Sequence, residues 1–227
     1  MTPRICVSIL PKSQPEAMVL INTAEAAKAD FIEVRLDLLD AETNLKELFE
    51  STKVPLIATH KMASESGFSS HTEAERLQSL LKAAECGFEY VDIDLSHPNL
   101  TEMVDNIKRL GAKPIVSYHK TDGSLSRSAM DRVLEQEIAA GASVCKIITS
   151  AKKTEDNLAA LNFVAANSGK AKLVCFCMGE AGKSSRLLSP LFGAFFTFAS
   201  LEKGDETASG QMTIREMQAA YELLGAK

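Results

Sequence analysis

The sequence predicts a single (β/α)8 barrel, a TIM barrel, and three observations carry that prediction. Short apolar or β-branched runs alternate with amphipathic stretches of helical length about eight times along the 227 residues. Glycines recur between the end of a predicted helix and the next predicted strand, where a left-handed residue commonly ends a helix. Polar residues interrupt several strands near their C-terminal ends, where barrel enzymes carry their active sites.

Each element follows from local pattern. The predicted strands, rich in β-branched and aromatic residues, are 5–10, 31–39, 55–61, 90–96, 113–119, 144–150, 172–178 and 195–201. The predicted helices are 15–28, 44–52, 72–86, 99–110, 126–140, 155–167, 184–190 and 213–225. Helix starts are expected at Thr72, Ser126 and Thr154, and left-handed helix ends at Gly87, Gly111, Gly141 and Gly169. An open doubly wound sheet is the alternative, but no glycine-rich turn follows the first strand.

Composition narrows the class of protein. The net charge of -5 and the pI near 5.5 argue against a nucleic-acid partner, which needs a basic face. No run reaches the ~18 apolar residues of a membrane span, and no signal peptide precedes the first strand, so we expect a cytoplasmic protein. The length also fits two small domains, but no linker divides residues 1–227, and we expect one catalytic domain.

The five cysteines indicate reduced thiols. Their number is odd, and they are scattered through apolar segments. Cys175 and Cys177 have the spacing of a metal pair, but a structural zinc site needs four ligands and no second pair stands at ligand spacing.

Lys146 is the first candidate for chemistry. It interrupts the apolar run 144–148, where a charged lysine is rarely buried without a partner. Burial favours the neutral amine, which is the nucleophilic form, so Lys146 is a candidate Schiff-base former. The alternative is a strand-edge lysine whose ammonium reaches solvent.

Charged residues share one face of two predicted strands. Glu33, Arg35 and Asp37 alternate with apolar residues, and Asp92 and Asp94 repeat the pattern in the fourth strand. In a barrel whose apolar strand faces meet the helices, these charges point into the interior. A surface strand of an antiparallel sheet would show the same alternation.

Further candidates follow strands five, seven and eight. His119 ends strand five, beside the strand of Lys146, where it could act as an acid and base or simply as a structural hydrogen-bonding group. The loop 179–186 could present backbone N–H groups and Arg186 to an anion, or could be a surface loop with a helix-capping serine. Residues 207–211 are suited to a lid over a bound substrate, or to an ordinary mobile loop.

Taken together, these segments resemble the type I 3-dehydroquinate dehydratases, the Schiff-base enzymes of the shikimate pathway. The resemblance covers nearly the whole chain and is strongest at 33–37, 117–119, 146–147, 185–186, 192–193 and 210–211. It implies a (β/α)8 fold and a lyase that removes water from 3-dehydroquinate by syn elimination to give 3-dehydroshikimate. This is the third step toward chorismate and the aromatic amino acids. A protonated imine is itself an electron sink, so no metal or diffusible cofactor is expected.

The resemblance also assigns roles. Lys146 would form the imine, and His119 would remove the adjacent proton and later protonate the leaving hydroxyl. The substrate would be bound by Glu33, Arg35, Lys61, Arg186, Thr207 and Gln211. Among these, Arg186 would hold the carboxylate. A homodimer is compatible with the resemblance, although no sequence feature marks an interface.

Several positions depart from the family pattern. Lys61 stands where an arginine is common, although a slip of one residue would place His60 there. Glu65 matches an acidic loop residue in an uncertain register, and Ser209 replaces a proline of the lid. We expect a pKa of about 7–8 for Lys146, with Arg35 as a candidate cationic neighbour.

Three other functions remain open from the sequence. An aldolase-like Schiff-base barrel would share Lys146 but bind a phosphate through backbone amides. A catalytically silent barrel would bind a small acid or a partner protein, and would not need both Lys146 and His119. A metal-dependent epimerase would use Asp37, Asp92 and His119, which lack a recognisable ligand spacing.

Overall fold

A computed structural model describes residues 2–62, 67 and 71–226. Within these ranges, eight strands alternate with eight α-helices, as the sequence predicts. The strands are β1 (Ile5–Ile9), β2 (Phe31–Arg35), β3 (Leu56–Thr59), β4 (Tyr90–Asp94), β5 (Lys113–His119), β6 (Val144–Ser150), β7 (Leu173–Met178) and β8 (Thr197–Ala199). The helices are α1 (Gln14–Ala26), α2 (Leu45–Glu50), α3 (Glu73–Glu85), α4 (Leu100–Arg109), α5 (Arg127–Ala139), α6 (Asp156–Asn167), α7 (Lys183–Leu188) and α8 (Ile214–Leu223). Two 3-10 turns, Glu180–Gly182 and Ser189–Phe192, flank α7.

The strands form one nearly closed parallel barrel. Its hydrogen-bonded order is β7-β6-β5-β4-β3-β2-β1-β8, and the adjacent strands in this order are parallel. Between β7 and the segment that enters β8, Phe195 N donates to Leu173 O at 2.7 Å. The prediction of a single (β/α)8 barrel is confirmed, and the open doubly wound sheet is not found.

Two apolar layers leave room for a polar site. The outward residues of the strands pack against the helices, as Ile32 and Val34 of β2 do. Inside the barrel, aromatic rings fill the end where the strands begin, with the Phe31 and Phe196 ring centroids 4.9 Å apart. The alternation predicted for β2 is therefore confirmed, and the charged residues lie above this aromatic floor.

Most predicted helix boundaries are confirmed. Thr72 closes a capping box with Glu75, and Ser126 accepts a hydrogen bond from the third residue of its helix. The prediction for Thr154 is wrong because α6 begins at Asp156, whose carboxylate accepts the backbone N–H groups of Lys152 and Lys153 instead.

Three of the four predicted left-handed glycines are confirmed. They are Gly87, Gly111 and Gly141, with φ of +105°, +88° and +87°. Gly169 does not adopt a left-handed φ, because the turn after α6 continues in a right-handed conformation at Ser168. In the described part of the chain, no helix is long and apolar enough to cross a membrane.

Candidate active site

One cavity opens at the C-terminal ends of the strands, where a barrel enzyme places its chemistry. Its volume is about 1070 Å³. The structure brings all the sequence-predicted site residues to its wall: Glu33, Arg35, Lys61, His119, Lys146, Arg186, Thr207 and Gln211. They come from six different parts of the barrel rim, so their convergence follows from the fold and not from closeness in sequence.

Lys146 points into this cavity from β6. Its neighbours Cys145 and Ile147 face the helices, which by strand alternation turns Lys146 inward. Its Nζ lies 2.7 Å from Asp92 Oδ2 and 3.7 Å from Glu33 Oε1, and 4.6 Å from the centre of the Phe198 ring. Lys146 is only 5% exposed. The alternative of a lysine that reaches solvent is therefore not what the structure shows.

The charge state of Lys146 differs from our expectation. Burial disfavours the ammonium, but the Asp92 and Glu33 carboxylates outweigh burial and raise the pKa of Lys146 above its ordinary value. The expected pKa of about 7–8 is therefore wrong for the protein without substrate. Before substrate arrives, Lys146 is an ammonium held in a buried ion pair.

Asp92 lies at the centre of the site, although the sequence analysis assigned it a role only in the epimerase alternative. Its carboxylate is buried and accepts hydrogen bonds from Lys146, from Lys61 Nζ at 3.3 Å and from Ser117 Oγ at 2.7 Å. Burial acts to raise the pKa of Asp92, but the two lysines prevail and hold it well below its ordinary value. The available signal was the inward parity that Asp92 shares with Asp94.

His119 stands beside Lys146 on the neighbouring strand. In the β5–β6 register, Ser117 is opposite Lys146 and His119 is opposite Ile148, so both inward residues of β5 flank the amine. Burial, and then the charges of Lys61 and Lys146, lower the pKa of His119 well below its ordinary value. The imidazole is therefore neutral near pH 7 and able to accept a proton.

The charged residues of β2 are fixed by their partners. Glu33 accepts hydrogen bonds from Thr59 Oγ1 at 2.9 Å and from Ser8 Oγ. Arg35 makes a two-point ion pair with Asp37, which lies just beyond the end of β2. These contacts hold the side chains of Glu33 and Arg35 against the cavity wall, where each can donate to or accept from a hydroxyl group.

Arg186 supplies a buried positive charge. It is 1% exposed, its Cζ lies 4.4 Å from the centre of the Phe176 ring, and Nη2 donates to Ser209 O at 3.2 Å. Within the described residues, Nε has no hydrogen-bond acceptor and the guanidinium forms no ion pair. Burial lowers the pKa of Arg186 to about 10. A desolvated guanidinium of this kind is suited to a carboxylate ligand.

Ser185 explains why Arg186 faces inward. The surface-loop alternative required a serine that caps α7, but Ser185 does not do so. Its Oγ accepts from Cys177 N at 2.9 Å and donates to Gly182 O at 3.1 Å, which ties the helix to β7. The next residue, Arg186, is thereby directed over Phe176 and into the cavity.

Residues 207–211 lie over the cavity. Thr207 Oγ1 donates to Ser8 Oγ at 2.9 Å, and Thr207 N donates to Gln211 Oε1 at 2.8 Å. Gly210 has a φ of +75°, and a Cβ atom there would lie 2.2 Å from Gly179 O. Only glycine fits this approach, so the segment is seated closely on the loop that follows β7.

The loop after β3 resolves one uncertainty of register. Lys61 lines the cavity, whereas His60 turns to Ser79 and His71, with nitrogen-to-partner distances of 2.7 Å and 3.4 Å. Glu65 lies outside the described residues. Among the residues that the structure describes, no three His, Cys, Asp or Glu side chains are grouped to hold a metal ion, and all five cysteines are free thiols.

Comparison with known proteins gives one consistent result. Residues 5–227 match the family model described as type I 3-dehydroquinase. The 3-dehydroquinate dehydratase of Dehalococcoides mccartyi is 37% identical over 219 residues, which are 96% of this chain and 95% of that relative. The corresponding protein of Methanothermobacter thermautotrophicus is 34% identical over 216 residues, 94% of each chain. The crystal structure of the Geobacillus kaustophilus 3-dehydroquinate dehydratase superposes with a TM-score of 0.90 at 22% identity, covering 98% of this chain and 91% of that one, which supports the fold.

Proposed function

The chain belongs to the type I 3-dehydroquinase family, and we propose that it removes water from 3-dehydroquinate by way of an imine on Lys146. Its relatives are named 3-dehydroquinate dehydratase, so the enzyme class is that of a hydro-lyase. The observation that carries the proposed mechanism is a buried amine and a neutral imidazole on adjacent strands of one cavity.

The imine can form from the ammonium that the site holds. An ammonium and a ketone give a protonated imine and water: the nitrogen passes two protons to the departing carbonyl oxygen and keeps one. The same nitrogen therefore carries one positive charge before the reaction, as the ammonium, and after it, as the protonated imine. The carboxylates of Asp92 and Glu33, 2.7 Å and 3.7 Å from Lys146 Nζ, can therefore stabilise both states.

His119 performs the proton transfers in this proposal. It removes a proton from the carbon next to the imine, and the electron pair flows into the C=N bond to give a neutral enamine. When that electron pair returns, the β-hydroxyl leaves and takes the proton from the imidazolium, so water is lost and His119 is neutral again. Because one imidazole acts in both steps, proton and hydroxyl leave from the same face, which is a syn elimination.

The remaining cavity residues bind and orient the substrate. Arg186 pairs with the carboxylate, since it is the buried cation without an ionic partner in the described structure. Thr207 and Gln211 contact the carboxylate or neighbouring hydroxyls from above, and Glu33, Arg35 and Lys61 face the ring hydroxyls. The imine accepts the electrons of the reaction, so the chemistry requires neither a metal nor a diffusible cofactor.

Several wider assignments belong to the same proposal. The product is 3-dehydroshikimate, and the reaction is the third step toward chorismate and the aromatic amino acids. The enzyme acts in the cytoplasm on a small molecule, without a nucleic-acid or membrane partner. Residues 1–227 form one catalytic domain, and association as a homodimer is compatible with it.

Reductive trapping tests the mechanism. Purified protein with 3-dehydroquinate should produce an ultraviolet-absorbing conjugated enone, and borohydride added with substrate should leave an adduct whose mass maps to Lys146. Lys146→Ala should abolish both signals. Undiminished turnover in Lys146→Ala, or an adduct on another residue, would refute the role of Lys146.

A further inference from the structure

Asp92 lies between the two lysines of the cavity. Its Oδ2 is 2.7 Å from Lys146 Nζ, and its Oδ1 is 3.3 Å from Lys61 Nζ. Ser117 donates to the same Oδ1 at 2.7 Å. Both carboxylate oxygens are therefore occupied by fixed donors, and the Asp92 side chain is fully buried.

This arrangement fixes where the Lys146 nitrogen lies. A lysine side chain is a flexible chain of four carbons, and it is poorly ordered unless its ammonium is bound by a partner. Asp92 binds that nitrogen from β4, which only β5 separates from β6, while Lys61 and Ser117 hold the carboxylate in place. Since the nitrogen carries one positive charge both as ammonium and as protonated imine, the same grip serves both states.

Attack on a ketone requires a state in between, in which the nitrogen is a neutral amine. An unshared carboxylate would oppose that state by holding the ammonium proton strongly. Lys61 weakens the attraction between Asp92 and the Lys146 ammonium, because it pairs with the same carboxylate and places a second positive charge near Lys146. A neighbouring cation is one of the ways in which enzymes make a lysine nucleophilic.

We propose that Asp92 and Lys61 act together on Lys146: Asp92 is the positioning residue for its nitrogen, and Lys61 is the cation that eases loss of its proton. This inference rests on the proposed Schiff-base function and deepens it. It gives Lys61 a second role beside the substrate contact proposed above, and it gives Asp92 a role in the Schiff-base mechanism.

Other charged or titratable groups lie around the Lys146 amine. Glu33 from β2 and Cys6 from β1 act on its pKa together with Asp92, and His119 from β5 feels its charge. Arg35 from β2, Lys61 after β3, Asp94 from β4 and Arg186 from α7 line the same cavity. The anions among them favour the ammonium and the cations oppose it. Substitutions at Asp92 and Lys61 must therefore move the protonation of Lys146 in opposite directions.

The experiment measures that protonation through imine formation. Enzyme and 3-dehydroquinate are mixed with cyanoborohydride between pH 5 and pH 10, a range that lies below the raised pKa of Lys146, so the rate rises with pH across this range. The rate of adduct formation on Lys146 is followed by intact-protein mass spectrometry. Asp92→Asn should move this rising part of the pH profile down by about 1–3 pH units. Lys61→Met should move it up by about one pH unit, while Lys61→Arg, which keeps the charge, should leave it near that of the wild type.

Controls separate this inference from stability and from the proposed function. Lys170→Met removes an exposed lysine far from the cavity and should leave the profile unchanged. If Asp92→Asn does not fold, it is replaced by the double variant Asp92→Asn/Lys61→Met, which removes both charges of the pair. The pH profile of this double variant is compared with that of Lys61→Met alone. Shifts in the same direction, or no shift, would overturn the inference, whereas absence of any adduct in the wild type would overturn the Schiff-base function itself.

Discussion

Replacing Arg186 by methionine should make the protein more stable and a poorer enzyme. Burial lowers the pKa of Arg186 from its ordinary value to about 10. This corresponds to roughly 3 kcal/mol by which the folded protein disfavours the charged guanidinium. A lowered pKa of a cation means that the fold binds the proton less tightly than the unfolded chain does, so this free energy opposes folding at every pH below about 10.

The expected gain in stability is smaller than that figure. Methionine keeps an apolar contact with Phe176 but loses the hydrogen bond to Ser209 O and the attraction of the cation for the ring. These are together worth about 1–2 kcal/mol. A net gain of about 1–2 kcal/mol remains, and for a chain of this size it should raise the Tm by roughly 2–8 °C in calorimetry.

The same substitution should impair catalysis strongly. The substrate carboxylate loses a buried ionic partner, and removal of one member of such a pair costs about 2–5 kcal/mol. The value of kcat/KM should therefore fall by about 30-fold to several thousand-fold in the enone assay. A lower Tm for Arg186→Met, or a kcat/KM close to that of the wild type, would show that Arg186 is a structural residue.

Arg127→Met provides the matched control. Arg127 also lies over a phenylalanine ring, with its Cζ 5.3 Å from the centre of Phe163, but it is exposed and pairs with Asp131 on the same helix. Exposed pairs of this kind contribute about 0–1 kcal/mol. Neither the Tm nor kcat/KM of Arg127→Met should differ appreciably from the wild-type value.

Three further predictions test the base, a buried acid and the lid. His119→Ala should still give the trapped adduct while elimination slows by about 10²–10⁴-fold; unimpaired elimination would exclude His119 as the base. Burial raises the pKa of Glu137, so the folded chain keeps a proton that the unfolded chain releases above about pH 4.5, and stability should fall as the pH rises beyond that value. Glu137→Gln should flatten this dependence in thermal melts between pH 5 and pH 8, and an unchanged slope would contradict the assignment. Gly210→Ala should lower kcat/KM about tenfold or more, because the added Cβ would displace residues 207–211 from Gly179. Gly204→Ala should not, because Gly204 also has a positive φ (+96°) but lies in open space. Equal effects of the two substitutions would refute the argument that residues 207–211 must fit closely against Gly179.

The sequence predicted the barrel and its polar face because both depend on local pattern. The predicted strands 113–119 and 144–150 coincide with β5 and β6, and Lys146 and His119 line the same cavity. Strand alternation decides whether a residue points inward, and parallel strands bring their C-terminal ends to one rim. These rules need no knowledge of distance.

The state of Lys146 could not be predicted in this way. Asp92 is 54 residues away from Lys146 in the sequence, but in the barrel only β5 lies between their strands, β4 and β6. Whether a carboxylate at that position lies 2.7 Å or several ångströms from the amine depends on barrel curvature and side-chain rotamers. The sequence-based expectation took burial as the dominant influence on the pKa of Lys146. The ion pair with Asp92 instead raises that pKa.

The distribution of charge around the cavity is suited to an anionic substrate in one orientation. Four carboxylates surround the β2 to β4 side of the cavity, namely Glu33, Asp37, Asp92 and Asp94, and they pair with Arg35, Lys61 and Lys146. Arg186 is also buried, but it stands apart on Phe176 and, in the described structure, has no carboxylate partner. A carboxylate placed beside Asp92 would be repelled, whereas at Arg186 it would neutralise a desolvated charge. We therefore propose that the carboxylate end of the substrate is directed to Arg186, which would leave the ketone end to meet the amine that Asp92 holds.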